Sequence, residues 1–164
     1  MEYKKLDTIM LHTVTKESVD EINFYRELNK DEEIGNRLHG LNGILLPVDK
    51  YPFLGRAFLT SLNGELFGYL HIGNLDEVEK SVYLKAGIHP NKRNCGLGKL
   101  LLKEVTDYIF LNHQEVEMIK LRIASDNKAS IYTANACGYT WLVDEYYVKY
   151  NPYLEESKKN NPSL

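Results

Sequence analysis

Residues 88–99 are Ile88-His89-Pro90-Asn91-Lys92-Arg93-Asn94-Cys95-Gly96-Leu97-Gly98-Lys99, and they connect a predicted strand to the start of a predicted amphipathic helix. The first turn of a helix exposes backbone N–H groups without partners and carries a partial positive charge. Gly96 and Gly98 would let a ligand approach the backbone closely, and Arg93 and Lys99 add positive charge. This arrangement favours a small anionic ligand such as a phosphate group.

Two common phosphate-binding loops do not fit this stretch. A nucleotide P-loop requires Gly-x-x-x-x-Gly-Lys-Ser/Thr, which the sequence lacks. A dinucleotide-binding loop requires a third glycine near the position of Leu101, and an early place in a parallel βαβ unit. The remaining pattern is Arg-x-x-Gly-x-Gly after an antiparallel meander. Taken alone, this pattern is a weak signal, and the alternative is a glycine-rich helix start that binds no ligand.

The composition is that of one globular domain. The chain has 164 residues, of which 43% are hydrophobic and 26% are charged. It lacks a run of about eighteen apolar residues, so we expect no membrane span, and its charged start, 1–5, predicts no signal peptide. The net charge of -3 argues against nucleic-acid binding. Cys95 and Cys137 lack metal-like spacing, so we expect free thiols, no metal and a cytoplasmic location.

Apolar periodicity and turn residues predict the order of the secondary-structure elements. The predicted strands are 8–14, 57–61, 66–72, 81–88, 118–124 and one or two strands within 141–150. Four helices are predicted. The first follows a capping box at Ser18 and Glu21, and the second runs from Asp31 through Leu38. The third contains an apolar stripe that begins at Leu97, and the fourth covers 127–137. Asn63-Gly64 predicts a hairpin turn, and 39–56 predicts a loop.

A second group of residues lies downstream of the glycines: Asn127-Lys128-Ala129-Ser130 and then Cys137-Gly138-Tyr139. With these residues the chain resembles the GCN5-related N-acetyltransferase (GNAT) superfamily. In that superfamily the motif Arg/Gln-x-x-Gly-x-Gly/Ala binds the coenzyme A pyrophosphate, and a later helix with the pattern Asn-x-x-Ser/Ala ends in Gly-Phe or Gly-Tyr. The resemblance covers 57–150. The Asp-Glu-Glu-Ile helix start at 31–34 and the Asn-x-x-Ser form look most like the ribosomal-protein alanine acetyltransferase branch.

The resemblance implies a fold and a cofactor. The implied fold is α/β (α+β), with a mixed, mainly antiparallel sheet of six to seven strands flanked by about four helices. It implies a single acyl-CoA N-acyltransferase domain over 1–150, followed by a polar tail, 151–164, that we expect to be mobile. The implied co-substrate is acetyl-coenzyme A (acetyl-CoA), bound without a metal.

The resemblance also assigns cofactor-binding residues. The pyrophosphate would contact the backbone N–H groups of Arg93, Asn94, Cys95, Gly96, Leu97, Gly98 and Lys99. Ala86 and Ile88 would pair through their backbone with the pantetheine arm, and the sheet would splay after a bulge near Ala86-Gly87. Asn127 would bind the pantetheine or lie near the thioester. Asn94 replaces a glycine that is common in the family, but asparagine tolerates positive φ, so we expect the loop to keep its shape.

The general acid and base remain open. Many relatives place a tyrosine acid at the position that Ala134 takes here. Tyr132 is close in sequence but should point away from Asn127 around the helix. His71 and His89 lie in or beside site strands and are candidate bases, with water as a further candidate. Cys95 is a candidate reactive thiol or simply a small loop residue.

Two functions therefore remain. The leading prediction is an N-acetyltransferase that moves the acetyl group directly to a primary amine. The alternative is a non-catalytic acyl-CoA-binding or sensor module on the same fold. A protein or peptide N-terminus, a small-molecule amine and a polyamine are all candidate acceptors. We expect the first two helices, the loop 39–56 and the final strands to set the acceptor, a region that contains Tyr25, Asp31, Tyr51, Tyr146 and Tyr147. Acyl-chain preference and oligomeric state stay open, with a homodimer as one candidate.

Overall fold

The computed structural model describes residues 3–13, 23–24, 27 and 53–154. Within these ranges the chain forms one sheet in the order β1-β2-β3-β4-β5-β6-β8-β7. The strands are β1 (Tyr3–Lys5), β2 (Met10–Thr13), β3 (Ala57–Leu62), β4 (Glu65–Ile72), β5 (Ser81–Ile88), β6 (Met118–Arg122), β7 (Thr140–Val143) and β8 (Tyr146–Tyr150). Two α-helices have both ends within the described residues, α1 (Leu97–Asn112) and α2 (Lys128–Ala136), and a 3-10 turn covers Pro90–Lys92.

The predicted α/β (α+β) class is confirmed. All neighbouring strands are antiparallel except β5 and β6, which run parallel because α1 carries the chain back between them. The sheet has eight strands rather than the predicted six to seven. The strand that the sequence analysis missed is β1. Its three residues, Tyr3–Lys5, include two lysines and show no apolar alternation, so the pattern contained no signal for it.

Several predictions fall partly or wholly outside the described residues. They include the capping box at Ser18, the helix from Asp31, the loop over 39–52, and 155–164 of the predicted tail. Of the helix after Ser18, the described residues 23, 24 and 27 are helical. The first tail residue, Asn151, is buried, and its side-chain amide donates to the carbonyls of Phe110 (3.4 Å) and Val116 (3.0 Å). The packed structure therefore continues past β8.

The hydrophobic core lies between the sheet and the two helices. Helix α1 buries one stripe, which includes Leu101, Val105 and Ile109, because these positions recur at helical spacing. Val82 and Ile119, on the two parallel strands, are fully buried in the same core. Burying each such side chain contributes roughly 1.5–3 kcal/mol relative to leaving it exposed.

Two polar contacts fix α1 within this core. The Glu104 carboxylate accepts hydrogen bonds from the backbone N–H groups of Thr8 (2.7 Å) and Ile9 (2.9 Å), between β1 and β2. The hydroxyl groups of Thr106 and Tyr139 are 2.6 Å apart and join α1 to the chain that leaves α2. Burial raises the pKa of Tyr139, so this hydroxyl stays protonated. The middle of α1 is thereby fixed to the β1–β2 connection and to the chain that follows α2.

None of the helices in the described part of the chain is long and apolar enough to cross a membrane.

Candidate active site

A slot opens in the sheet between β5 and β6. Strand β5 pairs with β6 only over 81–83, whereas its second half, 84–88, pairs with β4. The two parallel strands therefore diverge after Tyr83. The predicted bulge near Ala86-Gly87 is wrong, because the β4–β5 register is continuous there and the separation begins earlier in β5.

Gly87 leaves room for an aromatic ring of the neighbouring strand. A Cβ atom at this position would lie 2.2 Å from Cε1 of Tyr69. Tyr69 is buried on the neighbouring strand, so its ring occupies the space that a side chain would need. The glycine therefore serves the packing of the sheet.

The backbone of β5 faces the slot at the predicted positions. The N–H of Gly73 donates to the carbonyl of Tyr83, and the N–H of His89 donates to the carbonyl of Phe67, both at 2.7 Å. Hydrogen-bonded pairs alternate along an antiparallel ladder, so the backbone groups of the even-numbered residues 84, 86 and 88 point away from β4. An extended ligand chain can pair with Ala86 and Ile88 there.

One of these slot-facing groups already accepts a side-chain hydrogen bond. The Arg93 guanidinium Nε lies 3.1 Å from the Ile88 carbonyl oxygen. A carbonyl oxygen has two lone pairs, so this contact still leaves one for a ligand. The contact also holds the Arg93 side chain over the end of β5, at the mouth of the slot.

The loop before α1 contains two left-handed residues. Asn94 has φ 63° and Gly96 has φ 77°, and Asn94 thus adopts the conformation that we expected it to tolerate. Gly96 is the N-cap of α1 and has no side chain with which to cap the helix. Among the described residues, no atom lies within 4 Å of where a Cβ atom at Gly96 would stand, and a Cβ atom at Gly98 would only touch Ile88 at 3.7 Å. The first N–H groups of α1 are therefore accessible to a ligand.

The remaining predicted loop residues surround this helix start. Leu97 and Gly98 form its first turn, and Lys99 is exposed beside them. Cys95 is exposed, and its thiol lies 3.4 Å from the Arg93 carbonyl oxygen, within the same loop. The structure thus gathers the predicted pyrophosphate-binding residues around one helix N-terminus with a positive surrounding charge.

Asn127 lies at the corresponding end of β6. Because β5 and β6 are parallel, the chain leaves both strands at the same edge of the sheet. Asn127 is the N-cap of α2, and its side-chain oxygen accepts the Ser130 N–H at 3.2 Å. The oxygen is used for capping, so the side-chain NH2 group is the part of Asn127 that can donate to a ligand.

The side chains on α2 agree with the expected orientation of Tyr132. Ala134 is fully buried, whereas Tyr132 is 73% exposed. The tyrosine therefore points away from the packed face of the helix. This arrangement does not favour Tyr132 as the acid that protonates a leaving group in the slot.

The two candidate histidines have different surroundings. His71 lies on β4, beside Lys85 of β5, on the sheet face opposite to its buried neighbour Ile72. Burial, and secondarily the Lys85 charge, lower the pKa of His71, so its ring is neutral at pH 7. A neutral imidazole can accept a proton, although the lowered pKa makes it a weaker base.

His89 makes contacts through its ring face and both nitrogens. Its Nδ1 accepts the Asn91 N–H at 3.1 Å, and its Nε2 lies 3.5 Å from a carboxylate oxygen of Glu27. The ring stacks on Phe24 with centroids 5.2 Å apart. These contacts give His89 a role in holding the loop and do not favour a role as base.

Residues that the sequence analysis did not single out lie at the closed end of the slot. Tyr83 is the last β5 residue that pairs with β6, and the Lys120 ammonium lies 5.5 Å from its ring centroid. Lys120 also pairs with Glu79 at 2.6 Å, and this hydrogen bond is the main cause of its raised pKa. Tyr146, expected in the acceptor region, meets the Tyr83 ring edge to face at 6.2 Å. No sequence motif marks this cluster, because it depends on strand pairing between distant segments.

No group of three or more His, Cys, Asp or Glu side chains in the described ranges is arranged to hold a metal ion.

The fold is similar to that of several solved acetyltransferases. RimL, a ribosomal L7/L12 alpha-N-protein acetyltransferase in complex with coenzyme A, gives a TM-score of 0.71 at 13% identity, over 91% of this chain and 98% of RimL. Spermidine N-acetyltransferase from Vibrio cholerae, in complex with CoA and spermine, gives a TM-score of 0.66 at 14% identity, over 88% of this chain and 96% of that protein. The microcin C7 self-immunity acetyltransferase MccE, in complex with acetyl-CoA and AMP, gives a TM-score of 0.65 at 14% identity, over 88% of this chain and 93% of MccE.

No curated protein matches the sequence significantly. Residues 45–139, which are more than half of the chain, match the family model "Acetyltransferase (GNAT) family". This segment includes β3 to β6, both helices, the slot and both helix N-termini. The match confirms the superfamily that the sequence motifs indicated, and RimL is among the similar structures. The chain therefore belongs to the acetyltransferase (GNAT) family.

Proposed function

We propose that this protein transfers an acetyl group directly from acetyl-CoA to a primary amine, with the α-amine of a peptide or protein as its preferred acceptor. One observation carries the proposal: the β5–β6 slot opens at the same sheet edge at which α1 begins. A single extended molecule can therefore place its phosphates at the α1 N-terminus and its thioester arm along β5.

The residues at this edge fit the parts of acetyl-CoA. The open first turn of α1, with Arg93 and Lys99, suits the pyrophosphate. The slot-facing backbone of Ala86 and Ile88 suits the amide-bearing pantetheine arm, as an added strand. The side-chain NH2 of Asn127 can donate to the same arm. Acetyl-CoA supplies the activated acetyl thioester.

The transfer needs the acceptor as a neutral amine, so its ammonium form must first lose one proton. The amine nitrogen attacks the thioester carbonyl, the C–N bond forms, the C–S bond breaks, and the departing thiolate takes a proton. An α-amine with a pKa near 8 costs only about 1 kcal/mol to deprotonate at pH 7, whereas an alkyl amine near 10.4 costs about 4–5 kcal/mol. Among the described residues, the candidate base His71 has a lowered pKa, and so weak a base suits an α-amine. We propose that His71 takes the amine proton directly or through water.

Substrate competition would test the acceptor class. We expect kcat/KM for a peptide with a free N-terminus to exceed the values for spermidine and for an Nα-blocked lysine peptide by at least about tenfold, since the difference in deprotonation cost exceeds 1.4 kcal/mol. RimL by its description acetylates a protein α-amine, and the V. cholerae protein acetylates spermidine, so the fold accommodates both classes. Faster turnover of spermidine would contradict the α-amine preference.

Isothermal titration with acetyl-CoA would test the cofactor site. We expect the wild type to bind and Arg93→Glu to weaken binding about 100-fold or more, because the change removes a charge-assisted contact and adds repulsion. Lys5→Glu is the matched control, since it makes the same charge change at an exposed position on β1. A wild type that does not bind acetyl-CoA would overturn the proposal.

A non-catalytic acyl-CoA sensor is the second candidate. The observation that favours it is the buried Ala134 at the position of the usual tyrosine acid, together with the outward-facing Tyr132. Acetyl-CoA binding with no turnover of any α-amine, alkyl amine or polyamine would support the sensor. Turnover above the rate without protein would exclude it.

A further inference from the structure

We infer that His89 is a positioning residue with two separable roles at the proposed CoA site. Its Nδ1 atom shapes the pyrophosphate loop, and its ring face and Nε2 hold the helical segment that contains Phe24 and Glu27. The inference rests on the proposed function only in naming CoA as the ligand. It assigns no proton transfer to His89.

The first role concerns the turn that precedes Arg93. His89 is the N-cap of the 3-10 turn Pro90–Lys92, and its Nδ1 accepts the Asn91 N–H at 3.1 Å. Its backbone carbonyl also accepts the Lys92 N–H at 2.8 Å, which closes the turn. The turn leads directly into Arg93, whose side chain returns to the end of β5. The cap therefore sets the direction in which the loop reaches Arg93 and the start of α1.

The second role concerns a segment distant in sequence. The ring stacks on Phe24 with an interplanar angle of 22°, and Nε2 lies 3.5 Å from the Glu27 carboxylate. Because Nδ1 accepts a hydrogen bond, a neutral ring carries its proton on Nε2, the atom that faces Glu27. The His89 side chain is only 14% exposed, so the ring fills this junction. The same ring thus supports the loop on one side and the helical segment on the other.

Two substitutions separate these roles. His89→Asn keeps an acceptor oxygen close to the position of Nδ1, and asparagine is a favoured N-cap, but it removes the ring and Nε2. His89→Phe keeps a ring that can stack on Phe24 but removes the Nδ1 acceptor. Glu27→Gln is the control, since it removes the charge opposite Nε2 and leaves the loop cap intact.

The experiment measures the Kd for CoA by isothermal titration and Tm by thermal unfolding. We expect His89→Phe to raise Kd about fivefold through loss of the cap, and this loss also lowers Tm by about 2–4 °C. We expect His89→Asn and Glu27→Gln to keep Kd within about twofold, and His89→Asn to lower Tm by about 2–4 °C through loss of the aromatic contact. A histidine with a general structural role only would lower Tm in both His89 variants and leave Kd unchanged.

Each other result has a defined meaning. A wild-type Kd in His89→Phe, or an equal loss of CoA affinity in both His89 variants, overturns the inference while the proposed function stands. Absence of CoA binding by the wild type overturns both the proposed function and the inference.

Discussion

The two helix N-termini at the open edge of the sheet differ in how their backbone groups are satisfied. Helix α2 begins at Asn127, whose side chain accepts a hydrogen bond from the Ser130 N–H. Helix α1 begins at Gly96, which has no side chain and no close neighbour among the residues that the structure describes. One terminus is thus closed by its own sequence, and the other leaves its N–H groups to an external partner. The comparison shows that the uncapped terminus is the one suited to an anion.

The charges beside the two termini support the same distinction. Around the start of α1, Arg93 and Lys99 are both exposed, and the stretch 88–99 contains no acidic residue. At the start of α2, Asp126 and Lys128 are both exposed and carry opposite charges. The dipole of each helix favours an anion at its N-terminus. Only at α1 do the neighbouring side chains add to that preference.

A matched pair of charge insertions should produce the largest difference between the two termini. Gly98 and Ala129 each lie two residues after the N-cap, at equivalent positions in α1 and α2. We expect Gly98→Glu to raise the Kd for CoA about 100-fold or more, because a carboxylate would occupy the pyrophosphate site. Ala129→Glu should change Kd less than about threefold. Isothermal titration measures both values.

Thermal unfolding provides the control for that pair. A glutamate in the first turn of a helix interacts favourably with the helix dipole and stabilises the helix by about 0.3–1 kcal/mol. We therefore expect neither variant to lower Tm. Equal losses of CoA affinity in the two variants would show that the open α1 terminus has no special role in binding.

Substitutions of Asn127 should separate the capping role of its side-chain oxygen from the donor role of its side-chain NH2 group. We expect their effect on acetyl-CoA to be smaller than that of Gly98→Glu. Asn127→Ala removes the cap and should cost about 1 kcal/mol, which lowers Tm by about 2–4 °C. Asn127→Asp keeps the capping oxygen and should leave Tm unchanged, but it removes the donor. We therefore expect kcat/KM for acetyl-CoA to fall about tenfold in both variants, by the loss of one hydrogen bond. Wild-type kinetics in Asn127→Asp would mean that the residue only caps α2.

Removal of the Tyr132 hydroxyl should produce the smallest effect. Tyr132 is largely exposed on the outer face of α2. We expect Tyr132→Phe to keep kcat within about twofold and Tm within about 1 °C, as is usual for exposed substitutions. Steady-state kinetics with saturating acetyl-CoA would show this directly. A fall in kcat of about 100-fold would instead identify this hydroxyl as a general acid.

Local patterns predicted the elements around the site well. Asn63-Gly64 forms the expected left-handed turn, with φ values of 52° and 82°. The apolar stripe from Leu97 predicted α1, and Asn127 starts α2 as expected. These features depend on neighbours within a few residues, so sequence spacing contains the information. The prediction was wrong where the outcome depends on distant partners, as for β1, which pairs with β2, and for the start of the splay.

The sequence by itself determined that a positively charged, glycine-containing loop precedes an amphipathic helix, and that an asparagine-capped helix follows the next strand. Only the tertiary structure decided where β5 leaves β6, which backbone groups face the slot, and that His89 contacts Phe24 and Glu27 of a distant segment. The physical reason is the distance along the chain over which each kind of interaction acts. Turn, cap and periodicity preferences act within one or two helical turns, whereas strand divergence and ring stacking arise from packing between segments far apart in the chain.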